Sequence, residues 1–196
     1  MSDQRYKQRQ QRHKEKVDAR IAQAQQERGL VIVFTGNGKG KTTAAFGTLT
    51  RAVGHQKKAG VIQFIKGQWP NGERNLLEPA GVEFQVMATG FTWETQNRET
   101  DTAACQQVWQ EGKRMLADDS LDLVLLDELT YMVTYDYLDL DEVIDALHRR
   151  PAHQTVIITG RGCHRRLLDL ADTVSEMRPV KHAFDAGVKA QLGIDY

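Results

Sequence analysis

The stretch VIVFTGNGKGKTTAAF, residues 31–46, constrains the fold of this chain more than any other. An apolar run is followed by a glycine-rich turn and then by an alanine-rich segment that begins like a helix. A buried strand, a tight loop and a helix in this order form one unit of an α/β fold. Such a loop offers backbone N–H groups and a helix N-terminus, which together bind phosphate oxygens.

The rest of the chain repeats the alternation of short apolar runs with longer amphipathic ones. We predict strands at residues 30–34, 59–65, 82–87, 121–126, 154–159 and 173–177, and helices at 41–53, 101–117, 139–148 and 164–170. Continuous apolar strands separated by helices are typical of a parallel sheet covered on both faces. The predicted architecture is therefore a three-layer α/β domain with a mostly parallel sheet and helices on both faces.

Residues 1–28 differ from the remainder in composition. They contain eight Lys and Arg against four Asp and Glu, a balance of +4, in a chain whose formal net charge is zero. The segment has few apolar side chains, and only Val17, Ile21 and Ala24 have a helical spacing. We therefore divide the chain into a polar, basic N-terminal segment, 1–28, and a catalytic domain, 29–196. The segment is expected to be mobile until a ligand orders it.

Composition also limits the class of protein. Neutral net charge gives no field that attracts nucleic acid or a membrane surface, and no apolar run approaches the roughly 20 residues of a membrane span. The two cysteines, Cys105 and Cys163, form neither a disulfide framework nor a metal motif. We therefore expect a soluble, cytoplasmic protein with reduced thiols and no nucleic-acid or membrane partner.

The glycine-rich loop is a variant of the Walker A pattern G-x4-G-K-[ST]. Gly40, Lys41 and Thr42 fill its last three positions, but Thr35 stands where the first glycine is expected. The glycine comes one place later, at Gly36. Lys41 can reach phosphate oxygens, and the Thr42 hydroxyl can bind Mg²⁺. The predicted nucleotide-binding residues of the loop are Gly36, Asn37, Gly38, Lys39, Gly40, Lys41, Thr42 and Thr43.

A second signal is the run LDLVLLDE, which ends in Asp127 and Glu128. Open α/β sheets place ligand-binding groups at the carboxyl ends of their strands, and two acids there form a Walker B arrangement. The predicted metal ligands are Thr42, Asp127 and Glu128, for Mg²⁺ or Mn²⁺; which acid contacts the metal directly stays open. Arg161, in TGRG after another predicted strand, is a candidate for triphosphate oxygens.

Four longer segments extend these motifs: FTGNGKGKTTAAFGTLTRAVGHQ, FIKGQW, LLDELTYMV and VIITGRGCHRRLLDLADTVSEM. Together they resemble the CobA-type ATP:corrinoid adenosyltransferases, from about residue 29 to the C-terminus. The resemblance includes the departure at Thr35, and it implies a P-loop NTPase-like, RecA-like fold.

The resemblance also implies the reaction. A reduced corrinoid attacks the 5′ carbon of ATP and triphosphate leaves, in the synthesis of adenosylcobalamin and the salvage of cobalamin or incomplete corrinoids. The family further implies a flavoprotein that reduces the cobalt and a homodimer. Phe91 and Trp93, in MATGFTWETQNR, would exclude the lower axial ligand of the cobalt, and Lys41, Phe91 and Trp93 are the predicted catalytic residues.

Other function classes fit the phosphate loop as well. A P-loop kinase acting on a nucleoside or small molecule would release ADP. A RecA-like ATPase acting on nucleic acid would give ADP with phosphate. A nucleotide-sensing module without turnover would give no product. The products formed from ATP separate these alternatives.

Overall fold

The computed structural model describes residues 3–65, 71–87 and 97–195. Its centre is a six-stranded sheet in which every pairing between strands is parallel. The strands are β1 Val31–Thr35, β2 Ala59–Gln63, β3 Glu83–Val86, β4 Leu123–Asp127, β5 Thr155–Thr159 and β6 Thr173–Glu176. Their order across the sheet is β3-β2-β4-β5-β1-β6. The parallel α/β architecture predicted from the alternating pattern is confirmed.

Seven α-helices lie in the described part of the chain. They are α1 Asp3–Gln23, α2 Lys41–Gly54, α3 Gly72–Leu77, α4 Arg98–Ala117, α5 Leu129–Thr134, α6 Leu140–Arg149 and α7 Arg165–Leu170. The four helices predicted in the domain correspond to α2, α4, α6 and α7. The short helices α3 and α5 were not predicted, because six residues are too few to show a helical period. None of the described helices is long and apolar enough to cross a membrane.

Two apolar cores cover the two faces of the sheet. One face packs mainly against α2, through Ala45, Phe46 and Leu49. The opposite face packs against α4, α5, α6 and α7, and includes Trp109, which is 1% exposed. The predicted three layers follow from this division, since alternate residues of each strand face opposite sides.

The strand order determines where a ligand can bind. Strands β4, β5 and β1 lie side by side at the centre, and the loops that follow them meet at one edge of the sheet. After β1 the chain crosses to β2, which lies beyond β4, and continues outward to β3. It then returns to β4 and β5, which lie between β2 and β1, so the strand order reverses in this region. Ligands of open α/β sheets bind at the carboxyl edge near such a reversal.

The N-terminal segment contains a helix, α1, of which no residue is buried. The helix starts at Asp3 and is longer than the spacing of Val17 and Ile21 indicated. The segment joins the domain at Arg28, whose guanidinium donates to Asp172 Oδ2 at 2.9 Å, just before β6. Asp172 also accepts the Val31 backbone N–H at 2.9 Å, which fixes the start of β1.

Candidate functional site

The glycines of the phosphate loop have the conformations that the turn requires. Gly36 and Gly40 have φ angles of 96° and 114°, in the region that favours glycine. A side chain at Gly36 would also overlap the carbonyl oxygen of Met177. The Gly38 N–H donates to that same carbonyl at 2.7 Å. Thr35 is the last residue of β1, so the turn begins one residue later than in the standard Walker A pattern.

Lys41 is the first residue of α2 and is 7% exposed. Its Nζ donates to the Gly38 carbonyl at 2.8 Å, which folds the side chain back over the loop. Burial lowers the pKa of Lys41, while the charge of Glu128 raises it and that of Arg161 lowers it. The structure therefore brings Lys41, Glu128 and Arg161 within electrostatic reach of one another.

Asp127, at the end of β4, is completely buried and accepts hydrogen bonds from three elements. Thr42 of α2 donates to Oδ1 at 3.0 Å, and Thr159 of β5 donates to the same oxygen at 2.7 Å. Gln63 of β2 donates to Oδ2 at 3.3 Å. Gln63 itself accepts from Asn71, the N-cap of α3, at 2.7 Å. Donors of this kind stabilise an ionised carboxylate in an apolar interior.

Glu128 follows directly and turns the chain from β4 into α5. It is the N-cap of α5 and has a φ of 63°, which is uncommon for a residue other than glycine. Its backbone N–H donates to the Thr159 hydroxyl at 2.9 Å. Glu128 is partly exposed, whereas its neighbour Asp127 is inaccessible. The two acids predicted as a pair therefore have different surroundings.

A cleft of ≈ 450 Å³ lies in front of these groups. Its lining combines the phosphate loop, Glu128, helix α3 and the C-terminal segment; the lining residues are Lys39, Gly40, Lys41, Thr42, Thr43, Gly72, Glu73, Leu76, Glu128, Gly193, Ile194 and Asp195. Asp195 forms an ion pair with Lys39. The cleft has both charged and apolar side chains in its lining, and its volume lies within the range of about 300–1,000 Å³ that is usual for ligand sites.

The structure places most of the predicted site residues together. Lys41, Thr42, Asp127 and Glu128 meet at the carboxyl edge, and the charge of Arg161 acts on Lys41. Lys39 is paired with Asp195, and Asn37 is exposed at the tip of the loop. Phe91 and Trp93 lie outside the described residues, as does Trp69.

Sequence reasoning missed four residues of this region: Gln63, Asn71, Thr159 and Asp195. Gln63 offered a signal, because it is the one polar residue in the apolar strand Ala59–Gln63 and is fully buried. Thr159 could have been singled out as a hydroxyl at a strand tip. Asn71 and Asp195 gave no local signal, since only the tertiary fold brings them to the loop.

Known proteins resemble this chain over its whole length. Residues 27–196 match the family described as ATP:corrinoid adenosyltransferase BtuR/CobO/CobP, and residues 1–21 match the family described as cob(I)alamin adenosyltransferase N terminal. The chain is 82% identical to the corrinoid adenosyltransferase of Escherichia coli (strain K12) and 81% identical to corrinoid adenosyltransferase CobA of Salmonella typhimurium, over the full length of each. A corrinoid adenosyltransferase of Pseudomonas aeruginosa is 48% identical over 99% of this chain and 97% of the relative. The chain belongs to the ATP:corrinoid adenosyltransferases.

Proposed function

We propose that this chain performs the ATP-dependent adenosylation of corrinoids with the triphosphate of ATP held at the phosphate loop. One observation carries the proposal: Lys41, Thr42 and Glu128 line a single cleft, with Asp127 hydrogen-bonded to Thr42 behind it. The relatives of Escherichia coli and Salmonella typhimurium, which bear the name corrinoid adenosyltransferase, support the choice of substrates.

The role of the loop differs from its role in a kinase. The electron pair of Co(I) forms a bond to the 5′ carbon of ATP, the carbon–oxygen bond breaks, and its electrons leave on triphosphate. The phosphates are therefore the leaving group rather than the centre under attack. Backbone N–H groups and the Lys41 ammonium stabilise the charge that develops on them. No proton is transferred, so the reaction needs no general base.

The donor set suits Mg²⁺ or Mn²⁺, since carboxylates and a hydroxyl are hard oxygen ligands. Among the residues that the structure describes, no group of three or more His, Cys, Asp and Glu could hold a metal alone. Magnesium at nucleotide sites takes one or two protein carboxylates and completes its shell with phosphates and water. Bound there, the ion would add positive charge to the leaving triphosphate.

We assign the direct contacts to Thr42 and Glu128, because both line the cleft. Asp127 does not line it, and its two oxygens already accept three hydrogen bonds. It would act by accepting a hydrogen bond from the Thr42 hydroxyl, which turns the lone pairs of that hydroxyl toward the cleft. Arg161 is proposed to meet triphosphate oxygens, supported by the effect of its charge on Lys41.

The products formed from ATP test this function. Purified protein is given ATP, Mg²⁺ and a chemically reduced corrinoid, and the nucleotide products are separated. Adenosyl transfer yields triphosphate and an adenosylated corrinoid in equal amounts. ADP together with a phosphorylated acceptor would instead indicate a kinase and overturn the proposal.

The N-terminal segment is proposed to cover bound corrinoid. Helix α1 has no buried residue, and Val17 and Ile21 are 39% and 65% exposed. An apolar stripe on an otherwise polar helix gains stability when a ligand covers it. Deletion of residues 1–20 should weaken corrinoid binding while ATP binding is largely retained. Unchanged corrinoid affinity and unchanged turnover would end this proposal.

Three further assignments rest on the family resemblance. Phe91 and Trp93 would face the lower side of the cobalt, so that Co(II) loses its axial ligand and becomes easier to reduce. A flavoprotein would donate the electron, and two copies of the chain would form a homodimer. A cytoplasmic location stays a prediction from composition.

A further inference from the structure

The Thr159 hydroxyl lies between the two acids of the site and bonds to both. It donates to Asp127 Oδ1 at 2.7 Å and accepts the backbone N–H of Glu128 at 2.9 Å. Thr159 is fully buried, so water cannot replace either bond. Because a hydroxyl has a single proton, donation to Asp127 and acceptance from Glu128 define one orientation.

The position of Thr159 on the sheet explains why a side chain is needed there. Pairing between β4 and β5 ends at Leu126 and Ile158. Beyond that pair the chain turns at Glu128 into the left-handed region and leaves the ladder. The hydroxyl of Thr159 supplies the acceptor that the ladder no longer provides. It therefore stabilises an unfavourable backbone conformation at Glu128, a residue that lines the cleft.

The same hydroxyl affects Asp127. Thr42 and Thr159 both donate to Oδ1, and Gln63 donates to the other oxygen. Without Thr159, two hydrogen bonds would hold the carboxylate in place of three, from Thr42 to Oδ1 and from Gln63 to Oδ2. The direction of the Thr42 hydroxyl, and so of its lone pairs, would then be less firmly fixed.

We propose that Thr159 is a positioning residue that holds Asp127 and Glu128 together in the geometry for binding Mg²⁺ with ATP. This inference rests on the proposed metal role of these acids. Partners that orient metal ligands typically change metal affinity by about 10- to 100-fold when they are removed. The effect of Thr159 should therefore appear in metal-dependent ATP binding and be absent from metal-free ATP binding.

The test compares three variants of the full chain. Thr159→Val keeps the shape and removes the hydroxyl, and Thr159→Ser keeps the hydroxyl. Thr155→Val is the matched control, because Thr155 lies at the other end of β5 and its hydroxyl accepts the Leu30 N–H at 3.2 Å. Calorimetry gives the Kd of ATP with Mg²⁺ and with EDTA, and urea unfolding measures the stability of each variant.

We expect Thr159→Val to weaken ATP binding in Mg²⁺ by about 10-fold or more, with the Kd in EDTA within about twofold of the parent. Thr159→Ser and Thr155→Val should keep the parent ratio of the two Kd values. The inference would be overturned if Thr159→Val and Thr155→Val had the same ratio of the two Kd values. It would also be overturned if Thr159→Val lost as much ATP affinity in EDTA as in Mg²⁺. Thr159→Ala, which needs less space, provides the same comparison if valine prevents folding.

Asp127→Asn separates this inference from the assignment beneath it. If Asp127→Asn keeps the parent ratio of the two Kd values, the role of Asp127 in metal binding is wrong and the proposal for Thr159 falls with it. If Asp127→Asn changes this ratio while Thr159→Val leaves it at the parent value, only the positioning role of Thr159 is wrong.

Discussion

Replacement of Gly160 by alanine should destabilise the chain far more than the same replacement at Gly162. Both glycines belong to the loop after β5, and both have positive φ angles, 137° and 59°. Either alanine suffers backbone strain of about 1–2 kcal/mol. Either also reduces the entropy of the unfolded chain to a similar degree, and this contribution cancels in the comparison. The difference between the variants therefore measures mainly the space at each position, and any additional strain at the φ of 137° acts in the same direction.

That space is very different at the two sites. An alanine Cβ at Gly162 would lie 3.9 Å from the Thr134 Oγ1, which is an ordinary van der Waals contact. At Gly160 the Cβ would lie 2.0 Å from Thr130 Oγ1 and 3.2 Å from Glu128 Oε2. Thr130 is 1% exposed and its hydroxyl donates to the Arg161 carbonyl at 2.6 Å, so it cannot move freely.

The cost at Gly160 has three parts. Backbone strain contributes about 1–2 kcal/mol, overpacking about 1–3 kcal/mol, and the lost Thr130 hydrogen bond about 1 kcal/mol. Gly160→Ala should therefore lower the free energy of unfolding by about 3–6 kcal/mol, against about 1–2 kcal/mol for Gly162→Ala. Since the displaced groups include Glu128, ATP binding in Mg²⁺ should weaken as well.

Urea unfolding of both variants, with midpoints and slopes compared, is the assay. The double variant Thr130→Ala with Gly160→Ala removes the obstructing hydroxyl, so its loss should be smaller than the sum of the single losses by about 1–3 kcal/mol. A Gly160→Ala protein as stable as Gly162→Ala would refute the reasoning. Strict additivity in the double variant would refute the assignment of the collision to Thr130.

Four other outcomes are expected. Lys41→Ala should raise the activation barrier of the transfer by about 2.7–4 kcal/mol, by analogy with one lost oxyanion donor; near-normal turnover in a folded variant would exclude its role. Glu128→Gln should reduce turnover and its dependence on Mg²⁺ more than Glu142→Gln does. Equal effects of the two substitutions would show that Glu128 only ends the strand and does not bind the metal. Trp93→Ala should slow the reaction from Co(II) far more than from chemically reduced Co(I); proportional loss in both would indicate a role in binding or folding. The pKa of Asp172 is lowered from 3.8 to about 2 by its arginine partner, so the stability it contributes is present above pH 4 and is lost as the pH falls toward 2. This lowering of the pKa corresponds to roughly 2.5 kcal/mol of stability, which solvent screening at the half-exposed arginine reduces to about 1 kcal/mol. Asp172→Asn should remove this acid sensitivity, as measured by unfolding at a series of pH values.

The strands and the longer helices could be predicted from sequence because each has a local signal. Apolar runs such as Leu123–Asp127 have only one stable placement, inside a covered sheet. The phosphate loop and the acid pair also had local signals, since each motif comes directly at the end of a predicted strand. Helix α5 was missed because six residues are too few to show a helical period.

The strand order and the hydrogen bonds that depend on it could not be predicted in this way. Asp127 is 85 residues from Thr42, 64 from Gln63 and 32 from Thr159. No local pattern relates these positions, because polar residues also end strands at loops that bind no ligand. They meet only because β4 lies between β2 and β5 in the sheet.

The buried Asp127 carboxylate gives these distant residues a common physical role. A polar group buried away from water is costly unless hydrogen-bond partners surround it. The donors come from α2, β2 and β5, so the carboxylate keeps its surroundings only when all three elements are in place. The loop proposed to hold triphosphate leads into α2, and the loop that carries Arg161 follows β5. Correct packing of the sheet and correct placement of the charges proposed to bind ATP are therefore one requirement, set by a side chain that need not touch the nucleotide.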